Sequence, residues 1–382
     1  MELVAALDLG SDKIVVALAS IDNRGYKLES LKNMTSRGIE HGVIKDFSAV
    51  RNDVRDLLED TLFNKNVSLL RVSLSVNVFN IQKHTVEYHL GRLPVTDIDL
   101  QKAQQKCLDS LSSKGDIISV LPINYVFDKT NSVSNPINKT GQLLEITYIV
   151  YTVNSDYIAR LNQIFDYINP AIKREYCPSI YAYQELIPRD GVILDIGADG
   201  MEISIFTDYL LKNHAYLPLG GNVVDSDIAA GFRIEEMQAR KLKQNHGQAL
   251  KSTCKNRTVQ IDGTEKCVER RDIATIMQLR LEELFEGVIY FLNTCKSFNP
   301  QKPIFLTGGL SQVEDISILL NRMSSCKIER LAIARIHTER NDILEKPEYA
   351  VALGLLLRTS PTQEQESKGP KILDRILKTI FG

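Results

Sequence analysis

After one apolar run the chain reads Asp8-Leu9-Gly10-Ser11, and about 190 residues later, after another, Asp195-Ile196-Gly197-Ala198-Asp199-Gly200. Each copy sets a carboxylate at the end of an apolar strand with a glycine close behind. A backbone without Cβ approaches a phosphate closely and presents its N–H groups to it. One such turn is common hairpin chemistry. Two copies, facing each other, could clamp a single nucleotide.

Two glycine pairs extend the pattern. Leu217-Pro218-Leu219-Gly220-Gly221-Asn222 and Ile304-Phe305-Leu306-Thr307-Gly308-Gly309-Leu310-Ser311 each follow an apolar run. Each is expected to precede a helix, leaving free N–H groups toward an anion or a purine. The elements that position these loops are equally plain. Leu3 to Ala19 and Ile193 to Phe206 both read as strand, turn, strand, an internally duplicated hairpin. His84 to His89 and Glu145 to Thr152 read as strands. Asp97 to Ser112 reads as a helix with Leu100, Ala103, Cys107, Leu108 and Leu111 on its apolar side. Asp272 to Leu292 reads as a long helix with the stripe Ile273, Ile276, Met277, Leu281, Leu284, Val288, Phe291 and Leu292.

Composition sets the frame. At 382 residues, 43% hydrophobic and 25% charged, the chain resembles a soluble protein of two or more lobes. A formal net charge of -2 excludes nucleic-acid binding driven by global charge. The segment MELVAALDLG has no basic region before its apolar run, so no secretory leader is expected, nor any span of membrane length. The expected location is therefore cytoplasmic. Cys107, Cys177, Cys254, Cys267, Cys295 and Cys326 form no CxxC pair and read as reduced thiols.

Residues 371–382, KILDRILKTIFG, place Ile372, Leu373, Ile376, Leu377, Ile380 and Phe381 on one helical stripe, with Lys371, Arg375 and Lys378 beside or opposite it. Such a short helix is marginal alone in water and takes its stability from a partner. Half-burying six side chains at about 1 kcal/mol each, with roughly 1 kcal/mol per basic residue near anionic lipid, suits an anionic membrane surface. The alternative is docking on the chain's own body. Residues 360–370, SPTQEQESKGP, contain no aliphatic or aromatic side chain and read as a solvated tether, which favours the membrane.

The order DLGSDK, DIGxxG, PLGGN and FLTGG is similar to the phosphate and adenosine loops of the superfamily of actin, heat-shock chaperones and sugar kinases. Within it the chain resembles the FtsA family of bacterial division actins over nearly its whole length. The segments carrying that resemblance are SRGIEHGVIKD (36–46), VLPINYVFD (120–128), GGNVVDSDIAAGFRI (220–234), ARKLKQNHG (239–247) and LRLEELFEGV (279–288).

The resemblance implies an α/β, actin-like two-lobed ATPase fold with an FtsA-type inserted subdomain and a C-terminal amphipathic helix. The implied boundaries run 1–83 and 167–190 for the first lobe's core, with the insert at 84–166. The second lobe's core takes 191–231 and 299–359, with a further subdomain at 232–298, then the linker 360–370 and the helix 371–382. It also implies ATP and Mg²⁺. Gly10, Ser11, Asp12 and Lys13 would meet the phosphates, joined by Asp195 and Gly197 from the second loop and by Gly220 and Gly221. Asp8 would hold Mg²⁺ through water, Gly308 and Gly309 would flank the purine, and Lys243 would reach the ribose or base. The insert would serve self-association into filaments and contacts with other division proteins. The subdomain at 232–298 would receive the C-terminal peptide of the tubulin-like FtsZ, with Arg270, Arg271 and Arg280 as its cations; a solvated helix face is the alternative for each.

The second loop departs from the family's DIGGGTTD. Ala198 and Asp199 replace glycines, Gly200 and Met201 replace threonines, and Glu202 replaces the last aspartate. Asp199 would point a like charge at a γ-phosphate. Arg240 stands where the family usually has a ribose-binding glutamate. Two readings follow: weakened ATP binding with little hydrolysis, or a fixed scaffold without nucleotide. The first is favoured because the other loops persist. The expected function is a division adaptor tethering FtsZ filaments to the cytoplasmic face of the inner membrane at the septum. The alternatives are a pilus-assembly actin-like adaptor and an active kinase or chaperone.

Overall fold

The computed structural model describes residues 2–23, 25–62, 65–111 and 115–358. The expected linker 360–370 and the helix 371–382, with Ile372, Leu373, Arg375, Ile376, Leu377, Lys378, Ile380 and Phe381, lie outside the described residues.

The first apolar run forms β1 (Glu2–Leu9) and β2 (Lys13–Asp22), antiparallel to each other, and β3 (Gly25–Thr35) continues the meander. Val4 to Leu7 and Ile14 to Ala19 are buried without alternation, the signature of strands covered on both faces. A short hairpin, β4 (Ile39–Glu40) and β5 (Val43–Ile44), precedes α1 (Phe47–Leu62); β6 (Val67–Leu74) then lies parallel to β1.

A separate antiparallel sheet follows, built from β7 (Asn80–His89), β8 (Asp116–Phe127), β9 (Asn131–Val133) and β10 (Leu143–Val153) in the order β7-β10-β8-β9. The expected helix is α2 (Asp97–Ser110), started by a reciprocal cap between Thr96 and Asp99. Its Ala103 and Cys107 are buried, with Leu100, Leu108 and Leu111 packed against the same cluster. Helix α3 (Ser155–Ile164), β11 (Lys173–Pro178) and α4 (Ile180–Leu186) bring the chain back to the first sheet.

The second apolar run repeats the first. β12 (Gly191–Ile196), β13 (Met201–Thr207) and β14 (Leu210–Leu217) form an antiparallel meander. Next come α5 (Gly221–Phe232), α6 (Glu236–His246), the hairpin of β15 (Thr258–Gln260) and β16 (Cys267–Glu269), and α7 (Arg270–Thr294). β17 (Ile304–Thr307), α8 (Ile316–Ser324), β18 (Ile328–Arg330), β19 (Ile336–His337), α9 (Asn341–Leu344) and α10 (Ala350–Leu356) complete the described chain.

The two large sheets share a plan. One is ordered β11-β6-β1-β2-β3, extended by β19, and the other β18-β17-β12-β13-β14. In each, an antiparallel meander gains two parallel strands on the far side of its first strand. The duplicated hairpin thus belongs to a duplicated five-strand sheet. Helix α7 buries Ile273, Met277, Leu281, Leu284, Val288 and Leu292 as its stripe requires, with Ile276 and Phe291 at the margin. Phe285 and Ala274 are buried beside the stripe, so the covered face is wider than the periodicity suggests.

Candidate functional site

Between the two sheets lies a cleft of about 640 Å³, within the size range of small-molecule sites. Gly10 to Lys13 turn the corner between β1 and β2, and Gly197 to Gly200 turn the equivalent corner between β12 and β13; both loops line it. Gly221, Lys243, Gly308 and Gly309 join them, so four sequence motifs separated along the chain meet at one cavity.

Gly220 does not line the cavity. A Cβ there would stand 2.6 Å from the carbonyl oxygens of Gly197 and Ala198, so this glycine lets α5 start against the second loop. The expected free N–H groups are also taken: Gly221 N donates to Gly197 O at 2.9 Å and Asn222 N to Ala198 O at 2.8 Å. The helix start braces the loop instead of facing an anion. Gly308–Gly309 leads into a single 3₁₀ turn, Gly309–Gln312, not an α-helix. Gly308 has φ 83°, and the space beside Gly309 is open for at least 4 Å, a free wall for a flat ligand.

Asp8 and Asp195 are the penultimate residues of equivalent strands and line the cleft. Burial pushes Asp8 up to about 7, with the Glu202 charge adding and Ser73 and Lys13 opposing. Burial likewise pushes Asp195 up to about 7; Glu202 adds to it, and the Tyr183 hydroxyl, donating at 2.8 Å, opposes it. Glu202 is also enclosed, and burial raises its carboxyl, but His214, Ser179 and the Val76 N–H together hold it below the ordinary range. His214 Nε2 lies 3.6 Å from Glu202 Oε2, while the Tyr151 hydroxyl sits 2.9 Å from His214 Nδ1. With the Nε2 proton facing Glu202, Tyr151 donates to Nδ1. Glu202 thereby gathers contacts from the first and second lobes, and through His214 it is linked to Tyr151 of the inserted sheet.

The cations of the cleft are all engaged. Arg240 donates to Asp12 at 2.6 Å and Asn222 at 3.0 Å, and lies 3.4 Å from Asp225. Lys243, expected at the ribose or base, is held by Asp225 at 2.8 Å and the Gly221 carbonyl at 2.7 Å. Lys13 pairs with Glu348 at 3.8 Å. Arg270, expected on a partner-binding surface, instead lines the cleft and pairs with Glu314 at 2.6 Å. Arg280 is bound by Asp227 and Glu283 at 2.5 Å each. Arg271 is exposed, and its backbone N–H is taken by Asn256. Of the three arginines expected to meet an acidic peptide, two are therefore already neutralised within the chain.

The residues that sequence reading missed are His41 and Gly42. They form the turn between β4 and β5, with φ 48° and 73°. Gly42 N donates to Ser11 Oγ at 2.9 Å and His41 N to Asp199 Oδ2 at 2.9 Å, so one turn braces both phosphate-type loops. The HGV in SRGIEHGVIKD is a turn signal that could have marked the hairpin, though not its destination.

Duplicated sheets around a shared cleft, with a third sheet inserted in the first half, define an actin-like two-lobed protein. Solved structures agree on the fold. The PilM-PilN type IV pilus biogenesis complex matches with TM-score 0.67 at 16% identity, covering 93% of this chain and 98% of that one. MreB5 of Spiroplasma citri bound to ADP matches with TM-score 0.56 at 12% identity, covering 97% and 99%. A family model for cell division protein FtsA matches residues 192–354, and one for the SHS2 domain inserted in FtsA matches 77–152. FtsA of Escherichia coli K12 is 22% identical over 93% of this chain and 90% of its own length. FtsA of Staphylococcus epidermidis RP62A is 21% identical over 92% of this chain and 77% of its own. The chain belongs to the FtsA family and is a cell-division actin homologue.

Proposed function

We propose that this chain is a nucleotide-binding adaptor that links FtsZ filaments to the cytoplasmic membrane. The observation that carries the reading is the FtsA-specific inserted sheet on a duplicated actin-like core, together with the basic amphipathic sequence 371–382. Membrane attachment rests on that sequence; among the described residues no helix is long and apolar enough to cross a membrane. The FtsZ peptide is assigned to the subdomain at 232–298, where Arg271 is an exposed cation in the first turn of α7. Self-association is supported by likeness to the MamK double helical filament, with TM-score 0.51 at 12% identity.

Nucleotide binding is supported by the cavity's size and by the open wall at Gly309. Mg²⁺ suits Asp8. This carboxyl, raised by burial, favours a cation to hold its charge, and Mg²⁺ is usually held by one or two carboxylates plus phosphates. ATP hydrolysis would be slow: the second loop lacks the threonine hydroxyls, and its acid Glu202 is locked to Ser179, Val76 and His214.

The pilus adaptor is the second reading, favoured by the likeness to the PilM-PilN complex. Co-sedimentation with anionic vesicles separates the two. The full chain should carry a labelled FtsZ C-terminal peptide into the pellet, and a chain ending at Ser367 should carry neither itself nor the peptide. Lipid binding that ignores the FtsZ peptide would give the core to another partner.

A further inference from the structure

We infer that the Asp199 carboxylate stands in for a terminal phosphate in this cleft, so that the site accepts a nucleoside diphosphate in preference to a triphosphate. The inference rests on the nucleotide reading of the cleft and adds its specificity.

Successive N–H groups in a turn form an anion-binding concavity. The turn at His41–Gly42 offers two such N–H groups, and each is taken by one of the loops that flank the cavity, His41 by Asp199 and Gly42 by Ser11. Its His41 N–H is occupied by the chain's own anion, Asp199 Oδ2, at 2.9 Å. The other carboxylate oxygen takes the Asn222 amide at 2.6 Å, and the Asp199 carbonyl lies 3.1 Å from His41 Nδ1. Asn222 is in turn held by Arg240 at 3.0 Å. The carboxylate is therefore clamped from both lobes, at the point where an anion between the two loops would otherwise bridge them.

Charge then decides which nucleotide enters. A terminal phosphate arriving here meets a fixed negative charge, and like charges at this range repel strongly in a partly enclosed site. The cations that would compensate already face carboxylates: Arg240 faces Asp12, Lys13 Glu348, Lys243 Asp225 and Arg270 Glu314. On this placement a diphosphate would end short of Asp199 and leave its bridge to His41 and Asn222 intact.

The test is equilibrium titration of the full chain with ADP and with ATP, each with Mg²⁺, for wild type, Asp199→Asn and Asp199→Gly. Asn keeps an acceptor for His41 and removes the charge, and glycine removes the side chain altogether. Wild type should favour ADP by about tenfold or more, and both variants should tighten ATP by a similar factor while ADP changes little. An unchanged ATP-to-ADP ratio in both variants overturns the specificity claim and leaves the nucleotide cleft standing. Failure of wild type and both variants to bind either nucleotide overturns the cleft reading, and this inference with it.

Discussion

Asp8 and Asp195 show how a pair of buried carboxyls ties stability to pH. Both rise from the ordinary carboxylate value to about 7, chiefly through burial. Between about pH 4 and 7 the folded chain holds protons that the unfolded chain has released, so stability falls as pH rises through that window. Above about 7 the penalty is complete. Thermal unfolding of the metal-free chain should show a midpoint that drops from pH 5 to pH 8, and Asp195→Asn, which keeps an acceptor for Tyr183, should flatten that drop. Equal slopes in the two proteins would mean that Asp195 ionises without penalty. At this scale the sequence showed the loops but not their partners. Asp8, Gly10, Asp195 and Gly197 announce themselves through local turn chemistry. His41 and Asp199 are separated by 158 positions, and Arg240 and Asp12 by 228. Nothing local marks such pairs, because the fold alone brings them together.

Among the elements, strands and long helices were legible wherever burial imposed a period or an unbroken apolar run. The β1–β2 and β12–β13 hairpins, α2 and α7 are found where expected. The β4–β5 hairpin was missed because two-residue strands carry no period. The second glycine pair was read as a helix start and forms a 3₁₀ turn, Gly309–Gln312, which ends at Val313, three residues before α8 begins at Ile316. The least legible connection joins the inserted sheet to the second lobe. Tyr151 on β10 meets His214 on β14, and His214 reaches Glu202 at the cleft. Tyr151 is fully buried, so Tyr151→Phe leaves His214 Nδ1 without a donor at a cost of about 1–3 kcal/mol. Urea unfolding should register that loss. A neutral result would show that water reaches the His214 ring and that the inserted sheet is not tied to the cleft through this bond.

Scaled to the whole molecule, the proposed anchor depends on number. One helix of the length of 371–382 holds a bilayer by only a few kcal/mol once its ordering is subtracted. Chains joined in a filament present many such helices at high effective concentration, so the second attachment is far more favourable than the first. Binding to anionic vesicles should therefore rise sigmoidally with protein concentration. Raising salt from 0.1 M to 1 M should weaken it, because the Debye length falls from about 10 Å to about 3 Å and the contributions of Lys371, Arg375 and Lys378 fade. Replacing Ile376 and Phe381 together with Glu breaks the apolar stripe and should abolish binding at every concentration while leaving the thermal midpoint unchanged. The competing arrangement, in which 371–382 packs on the body of its own chain, gives the opposite pair of results. There the double substitution lowers the thermal midpoint, and vesicle binding is weak and hyperbolic in the wild type as well.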